Sequence, residues 1–468
     1  MTLQTNVAQP QRFPNVISVG NPFQAIGFGI LLLFLFIMFS RIFDVVLSSL
    51  QIPFAVSCLV LAATVFGGGV LRVWQHKIGR YFIAFTVWMA IGIPFSFWRG
   101  GSTATFQGWL KAVLVYICIV GLIGTYDQTL RAIKVLGFAV LILAVLALVL
   151  GNTDSGRLFL NEGKFSNPND LGQIMLIGLP FLWLMVKDPT QNMLFRIPPL
   201  IFSGLIFYVL LKTGSRGAIF GFLAMLLFVF VRSTMTGRIA ILGMSMILVL
   251  AAVVIVPGSL RHRYTTLFSS DSDGDLSADA KDLADIAVAS SEARQRVFKK
   301  SVEMTLRHPI LGVGPGMFAD AVEDDLRQEG KRTTFLLTHN SYTQVSSEMG
   351  LPGLFLFLAI LIGCFKATGA VAKISRNRSA PRWQNIAGTA DCLRMTLVAY
   401  SVTALFSSVA YQALLPAIAG LCTALYMSIQ EELAQEAGGG PMAFELSVNA
   451  VRPVPVAPRL ENVAGQRI

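Results

Sequence analysis

The chain has 468 residues, 54% of them hydrophobic and only 13% charged, with a mean hydropathy of +0.65. A soluble protein carries about a quarter charged residues, so this composition excludes a soluble globular domain and points to a polytopic membrane protein. The formal charge of +11 then matters less through its size than through where Lys and Arg fall along the chain.

A span needs about 20 mainly apolar residues to cross roughly 30 Å of hydrocarbon. On that rule about twelve segments qualify, near 24–40, 52–70, 81–98, 106–124, 132–150, 168–186, 196–211, 217–231, 238–256, 351–367, 391–409 and 412–428. Residues 1–22 are polar, and no small-residue cleavage site follows a short apolar core, so the first span is expected to stay on as an anchor. Lys and Arg then set orientation. With the N-terminus inside, the inner loops hold Arg72, Lys77 and Arg80; Arg131 and Lys134; Lys187 and Arg196; Arg232 and Arg238; and Lys366, Lys373, Arg376, Arg378 and Arg382. The short outer loops hold fewer: Arg41, Arg99, Arg157, Lys164, Lys212 and Arg216. The expected fold is an all-α polytopic membrane protein. It has a cytoplasmic tail (1–23), nine spans (24–256), one large extracytoplasmic loop containing helices (257–350), three spans (351–430) and a disordered, Glu-, Gly- and Pro-rich cytoplasmic tail (431–468). The five cysteines, Cys58, Cys118, Cys364, Cys392 and Cys422, show no CxxC or metal spacing and read as small buried hydrophobes.

The polar features of the outer face follow in chain order. After the fifth span comes GNTDSGRLFLNEGKFSNPNDLG, in which Asn167 can cap a helix with Pro168 at its first position and Asp170 in its first turn. That aims backbone N–H groups outward as an anion site beside Arg157 and Lys164. In KTGSRGAIFG, Ser215 can cap the eighth span, and Arg216 sits at the outer mouth between two spans. An arginine there is costly unless paired or functional, although Arg stems also snorkel routinely at helix ends. In the large loop, DSDGDLSADAKD (Asp271 to Asp282) approaches a calcium loop, but Leu276 and Asp282 stand where Gly and Glu are required. It reads as a solvated acidic loop. Residues 293–307 read as a helix with Val297, Phe298, Val302 and Leu306 on one side, stopped before Pro309. GVGPG (312–316) has Met317 in place of the third glycine of a dinucleotide loop and no βαβ unit around it, so a tight turn is expected. A further helix begins near His339–Asn340, runs to Met349 and is capped by Gly350, and Pro352 opens the next span.

These pieces, FSNPNDLG, TGSRG, Arg294 four residues before Phe298, RHPILGVGPGMF and THNSYTQVSSEMGLPG, stand in an order and spacing that resemble the O-antigen ligase and O-antigen polymerase superfamily over about residues 150–370. The resemblance implies a multi-span membrane glycosyltransferase at the outer face of the bacterial inner membrane. It would move a glycan from a polyprenyl (undecaprenyl) diphosphate carrier to an acceptor sugar hydroxyl, with no metal or other cofactor. It further implies that Arg216 and Arg294 hold the diphosphate and that His339 is the base for the acceptor hydroxyl. The residue types suit those roles. Arginine's planar fork binds phosphate oxygens bidentately as the leaving group gains charge, and a histidine titrates near working pH. Arg157, Lys164, Asn169, Arg296, Asn340 and Tyr342 are expected around the substrate. Arg296 competes with Arg294, which is preferred on spacing alone, and Phe298 stands where the family often has tryptophan. His308, just before Pro309, reads as the end of a helix. The motifs do not separate ligase from polymerase, so the acceptor stays open between lipid A–core, another lipid-linked repeat and a protein side chain. The expected partners are the lipid-linked glycan, an acceptor glycan or glycolipid, and the bilayer, with no nucleic acid.

Two other classes compete. A lipid-linked glycan flippase, or another polysaccharide transporter, should show polar or broken helices near mid-membrane, often in matched halves. Here the ionisable residues gather at one face and in one loop, which favours an enzyme. A non-catalytic envelope scaffold would not require His339 and Arg216 to face one pocket. A lone histidine at a helix start is itself more often a cap or packing residue.

Overall fold

The computed structural model describes residues 22–45, 51–154, 156–160, 167–187, 192–255, 278–330 and 337–437. They are overwhelmingly helical. In chain order the helices are α1 (Pro22–Ser40), α2 (Ile42–Val45), α3 (Ile52–Phe66), α4 (Val70–Gln75), α5 (Lys77–Gly92), α6 (Arg99–Leu122), α7 (Tyr126–Leu150), α8 (Pro168–Val186), α9 (Met193–Lys212), α10 (Arg216–Arg232) and α11 (Met235–Ile255). Then follow α12 (Ala278–Arg307), α13 (Phe318–Gln328), α14 (Ser341–Arg376), α15 (Pro381–Thr403) and α16 (Leu414–Glu436). Helices dominate because hydrocarbon offers no hydrogen bonds, so a spanning backbone must satisfy its own polar groups. One short antiparallel ribbon departs from the all-helical expectation: β1 (Asn152–Asp154) pairs with β2 (Arg157–Phe159), with Thr153 opposite Leu158.

Among the described residues, seven helices are long and apolar enough to cross a bilayer: Lys77–Phe95, Arg99–Leu122, Tyr126–Leu150, Pro168–Val186, Met193–Lys212, Ser341–Arg376 and Leu414–Glu436. Gln24–Ser40 and Ile52–Phe66 are apolar but shorter. Two of the other expected segments fall short for different reasons. Helix α10 has only 17 residues, and α15 carries Arg382, Asp391 and Arg394 along its length. Two further boundaries move. Helix α12 starts at Ala278, well before the expected 293, because the added stretch, ADAKDLADIAVASSE, is rich in alanine, the strongest helix former. The last helix continues to Glu436, past the expected boundary at 430, and Glu431 faces the buried Arg72 at 3.1 Å.

The bundle has two chemically different ends. At one, Arg72 meets Glu431, Arg378 meets Glu436 at 2.6 Å, and Arg382 meets Glu432 at 3.0 Å. The other gathers the start of α8, the turn between α9 and α10, the start of α14 and the end of α15. There Gln173 Nε2 donates to Thr403 Oγ1 at 2.7 Å and the Ser341 N–H donates to the Ala404 carbonyl at 2.7 Å. Arg216 and Arg232 cap opposite ends of α10, roughly 24 Å apart by helical rise. The loops assigned inner and those carrying the outer motifs thus lie at opposite ends.

What fixes the second end is a break in α14. Gly350 sits at φ 70°, ψ −175°, outside the helical region, and Pro352 follows. A continuous helix would direct the N–H of Leu351 to Ser347 and that of residue 352 to Glu348. Leu351 instead donates to the Pro309 carbonyl at 2.8 Å, and proline has no N–H to give. The released carbonyls are taken by the glycine loop: Val313 N–H donates to Ser347 at 2.9 Å and Gly314 N–H to Glu348 at 3.0 Å. Trp88 Nε1, from α5, donates to the Met349 carbonyl at 2.9 Å. Loop 308–317 is thereby spliced by main-chain bonds onto the helix that begins just after His339.

Gly350 has no room for a side chain. A Cβ there would stand 2.1 Å from the Ile310 carbonyl oxygen, on a backbone that L-residues rarely adopt. Backbone strain of this kind costs about 1–3 kcal/mol before the clash is counted. Gly350→Ala should therefore lower the thermal unfolding midpoint of the detergent-solubilised protein by several degrees. Gly369→Ala, a helical glycine of α14 with nothing within 4 Å of the new methyl, should leave it unchanged or raise it slightly.

Candidate active site

The turn between α9 and α10 is built by Gly214 at φ 58° and by Ser215, whose Oγ accepts from the Ala218 N–H at 3.3 Å. This cap leaves Arg216 as the first residue of α10, half-buried at the outer-motif end. The β-ribbon lies against it. Arg157 donates from Nε to the Thr213 carbonyl at 3.0 Å and from Nη2 to Asn169 Oδ1 at 2.9 Å. The Asn169 N–H is in turn held by the cap residue Asn167 at 2.9 Å. Arg157 and Asn169 therefore brace the ribbon, α8 and the Arg216 turn against one another, a positioning role beyond the direct substrate contact expected of them.

Arg294 arrives from α12. That helix is anchored by a satellite core of Val297, Met304, Val313, Met317, Phe318 and Val322, and by the 2.8 Å bond between Thr305 and Ser346 hydroxyls. Val297, 3% exposed, lies one turn along from Arg294 and sets which side of α12 faces inward. Burial, and then the charge of Arg216, push the Arg294 guanidinium below its usual range. His339 sits immediately before α14 with φ 48°, a left-handed conformation uncommon outside glycine. Burial, and then the charge of Arg294, push its imidazole below the usual histidine value. Arg294, from α12, thus stands within electrostatic reach of Arg216 at the α9–α10 turn and of His339 at the start of α14. His339 is not the cap of α14. Asn340 is: its Oδ1 accepts from the N–H groups of Tyr342 and Thr343 at 2.9 and 3.1 Å.

The remaining expected residues separate. Arg296 is exposed, some 200° around α12 from Arg294 at about 100° per residue. Asn340 spends its side-chain oxygen on the cap, and the Tyr342 hydroxyl donates to the Ser401 carbonyl at 2.9 Å, its ring edge-on to Phe357. Both shape the wall on which His339 rests. His308 is exposed, and its N–H closes the last turn of α12 onto Met304 at 2.9 Å. Lys164 and the start of the acidic Asp271–Asp282 stretch lie outside the described residues. Among the described residues no group of three or more His, Cys, Asp or Glu has the arrangement to hold a metal ion. The GVGPG turn binds protein. Gly312 packs against the Glu348 backbone, Gly314 against Ser96 and Gly316 against Thr105, at Cβ distances of 2.3, 2.2 and 2.1 Å that only glycine tolerates.

One supporting residue was not singled out from sequence. Glu348, 4% exposed, accepts the Gly316 N–H at 3.0 Å and ties the glycine loop from the side-chain direction as well. Its signal was a lone carboxylate in the otherwise uncharged SYTQVSSEMG stretch.

A bundle of apolar helices long enough to cross a bilayer is the architecture of a multi-pass membrane protein. Residues 201–358 match the model of the family described as O-antigen ligase, which shows the superfamily resemblance and the glycosyltransferase-like character that goes with it. The matched stretch contains Arg216, Arg294 and His339, and leaves Arg157 and Asn169 outside. No curated protein matches the chain.

The depressed imidazole has a readable consequence. A lowered pKa keeps His339 neutral, and so able to accept a proton, further into the acid range than an ordinary histidine. The His339 titration should fall below about pH 6.5, the unperturbed histidine value. Arg294→Gln, which removes the repelling charge, should move the His339 titration upward when followed by imidazole NMR. An unmoved titration would separate the two residues.

Proposed function

We propose that the chain transfers a glycan from a polyprenyl diphosphate carrier to an acceptor sugar hydroxyl at the outer face of the inner membrane. The convergence of Arg216, Arg294 and His339 at one end of the bundle is the observation that carries this reading. In the reaction, the acceptor oxygen attacks the anomeric carbon as the bond from that carbon to the diphosphate oxygen breaks. The leaving diphosphate gains negative charge, which Arg216 and Arg294 meet with fixed, partly desolvated guanidinium forks. Neutral His339 takes the acceptor proton. Holding two repelling cations together is costly in the empty site, and a bound diphosphate removes that cost, so the cluster favours an anionic group of high charge density.

On this reading residues 257–350 form the extracytoplasmic loop and both termini are cytoplasmic. A nucleotide-sugar donor is not available on that side, so the activated sugar must arrive on a lipid embedded in the membrane.

His339→Gln should reduce transfer by on the order of a hundred- to ten-thousand-fold, the usual contribution of a general base, while donor lipid still binds. Arg216→Lys and Arg294→Lys keep charge but lose the bidentate fork, and each should lower activity severely with expression unchanged. Arg296→Lys should be tolerated. Near wild-type transfer by the Arg216→Lys, Arg294→Lys double variant would remove the diphosphate clamp. Orientation has its own test: a reporter active only outside the cytoplasm should work when fused near Gly274 and fail near Arg378, and the opposite pattern overturns the topology.

A further inference from the structure

The end of the bundle opposite His339 holds a second concentration of arginine, and its charges are differently matched. Arg72, Arg378 and Arg382 each have a glutamate on α16. Asp391 on α15, by contrast, serves three arginines: it pairs with Arg376, lies 4.0 Å from Arg232 and lies 3.8 Å from Arg394. The guanidiniums of Arg232 and Arg394 share one aromatic ring, 5.0 and 5.3 Å from the ring centre of Phe228. Lys187 lies 5.3 Å over the ring of Trp183 nearby. Among the described residues, three arginines and a lysine around a single carboxylate leave a surplus of positive charge at the rim of the apolar bundle.

That surplus opens onto space. A cavity of about 450 Å³ lies between α7, α8, α10, the end of α14 and α15, with Lys187, Arg232 and Arg376 as its cations and Asp391 as its carboxylate. Its other wall is apolar, formed by Leu130, Leu184 and Val229. Cations on one side and hydrocarbon on the other, at the end of membrane-crossing helices, fit a molecule with an anionic head and an acyl tail. Arginine forks and an ammonium bind phosphate oxygens well at such a boundary. We infer that this cavity holds the phosphate-bearing headgroup of an anionic phospholipid in the leaflet opposite the catalytic cluster, with its acyl chain along the apolar wall.

The test uses the full-length protein in a neutral detergent, with bound lipid counted by native mass spectrometry. It does not depend on glycan transfer, so its outcome is separate from that of the catalytic reading. Dioleoylphosphatidylglycerol should be retained at least tenfold more strongly than dioleoylphosphatidylcholine. Arg232→Gln combined with Arg376→Gln should lower phosphatidylglycerol retention at least tenfold. Asp391→Asn, which removes the competing carboxylate and so works in the opposite direction, should raise it. Equal retention of the two lipids, undiminished retention by the arginine double variant, or weaker retention by Asp391→Asn would each overturn the proposal. Displacement of phosphatidylglycerol by an equal concentration of inorganic phosphate would overturn it too, assigning the cavity to a free anion.

Discussion

The outer-motif end of this protein depends on carbonyl groups that a helix cannot use. Where α14 breaks at Gly350 and Pro352, the carbonyls of Ser347 and Glu348 lose the N–H groups that would have come from the next turn. In an apolar setting such groups must find other donors, because an unmatched buried carbonyl costs a large part of a hydrogen bond. Loop 308–317 supplies them through Val313 and Gly314, and the Leu351 N–H returns the exchange to Pro309. The break and the loop require each other.

Everything that positions the cationic cluster is tied to that exchange. Through Gly316 and Glu348 the loop holds the start of α13, and through Met317 and Val313 it joins the core that anchors α12 and hence Arg294. Through the N-terminal piece of α14 it holds His339. Arg216 is fixed from the other side, by the Ser215 cap and by Arg157 bracing Thr213. Arg294 comes within electrostatic reach of Arg216 and of His339, from distant parts of the chain, because local caps and one main-chain splice leave their supporting elements little freedom.

The features legible in the sequence were those whose cause is local. Asn167 with Pro168, Ser215 before Arg216, and Gly350 with Pro352 announce helix ends through residue chemistry alone, and each forms as read. The functions of Arg157 and Tyr342 were not legible in the same way. Their hydrogen bonds go to Thr213 and Ser401, partners 56 and 59 positions away that no local pattern specifies. The preference for Arg294 over Arg296 rested on spacing in the sequence. In the fold the two differ in burial, because Val297 carries the Arg294 side of α12 into the satellite core.

The glycine loop also bears on what a sequence likeness can mean. HPILGVGPG is the most distinctive string in the chain, yet its glycines touch Ser96, Thr105 and the α14 backbone rather than any group of the cationic cluster. Its fingerprint is therefore mechanical: it records how two chain segments are joined. Proteins that share it are expected to share this joint, whatever differs in the residues away from it.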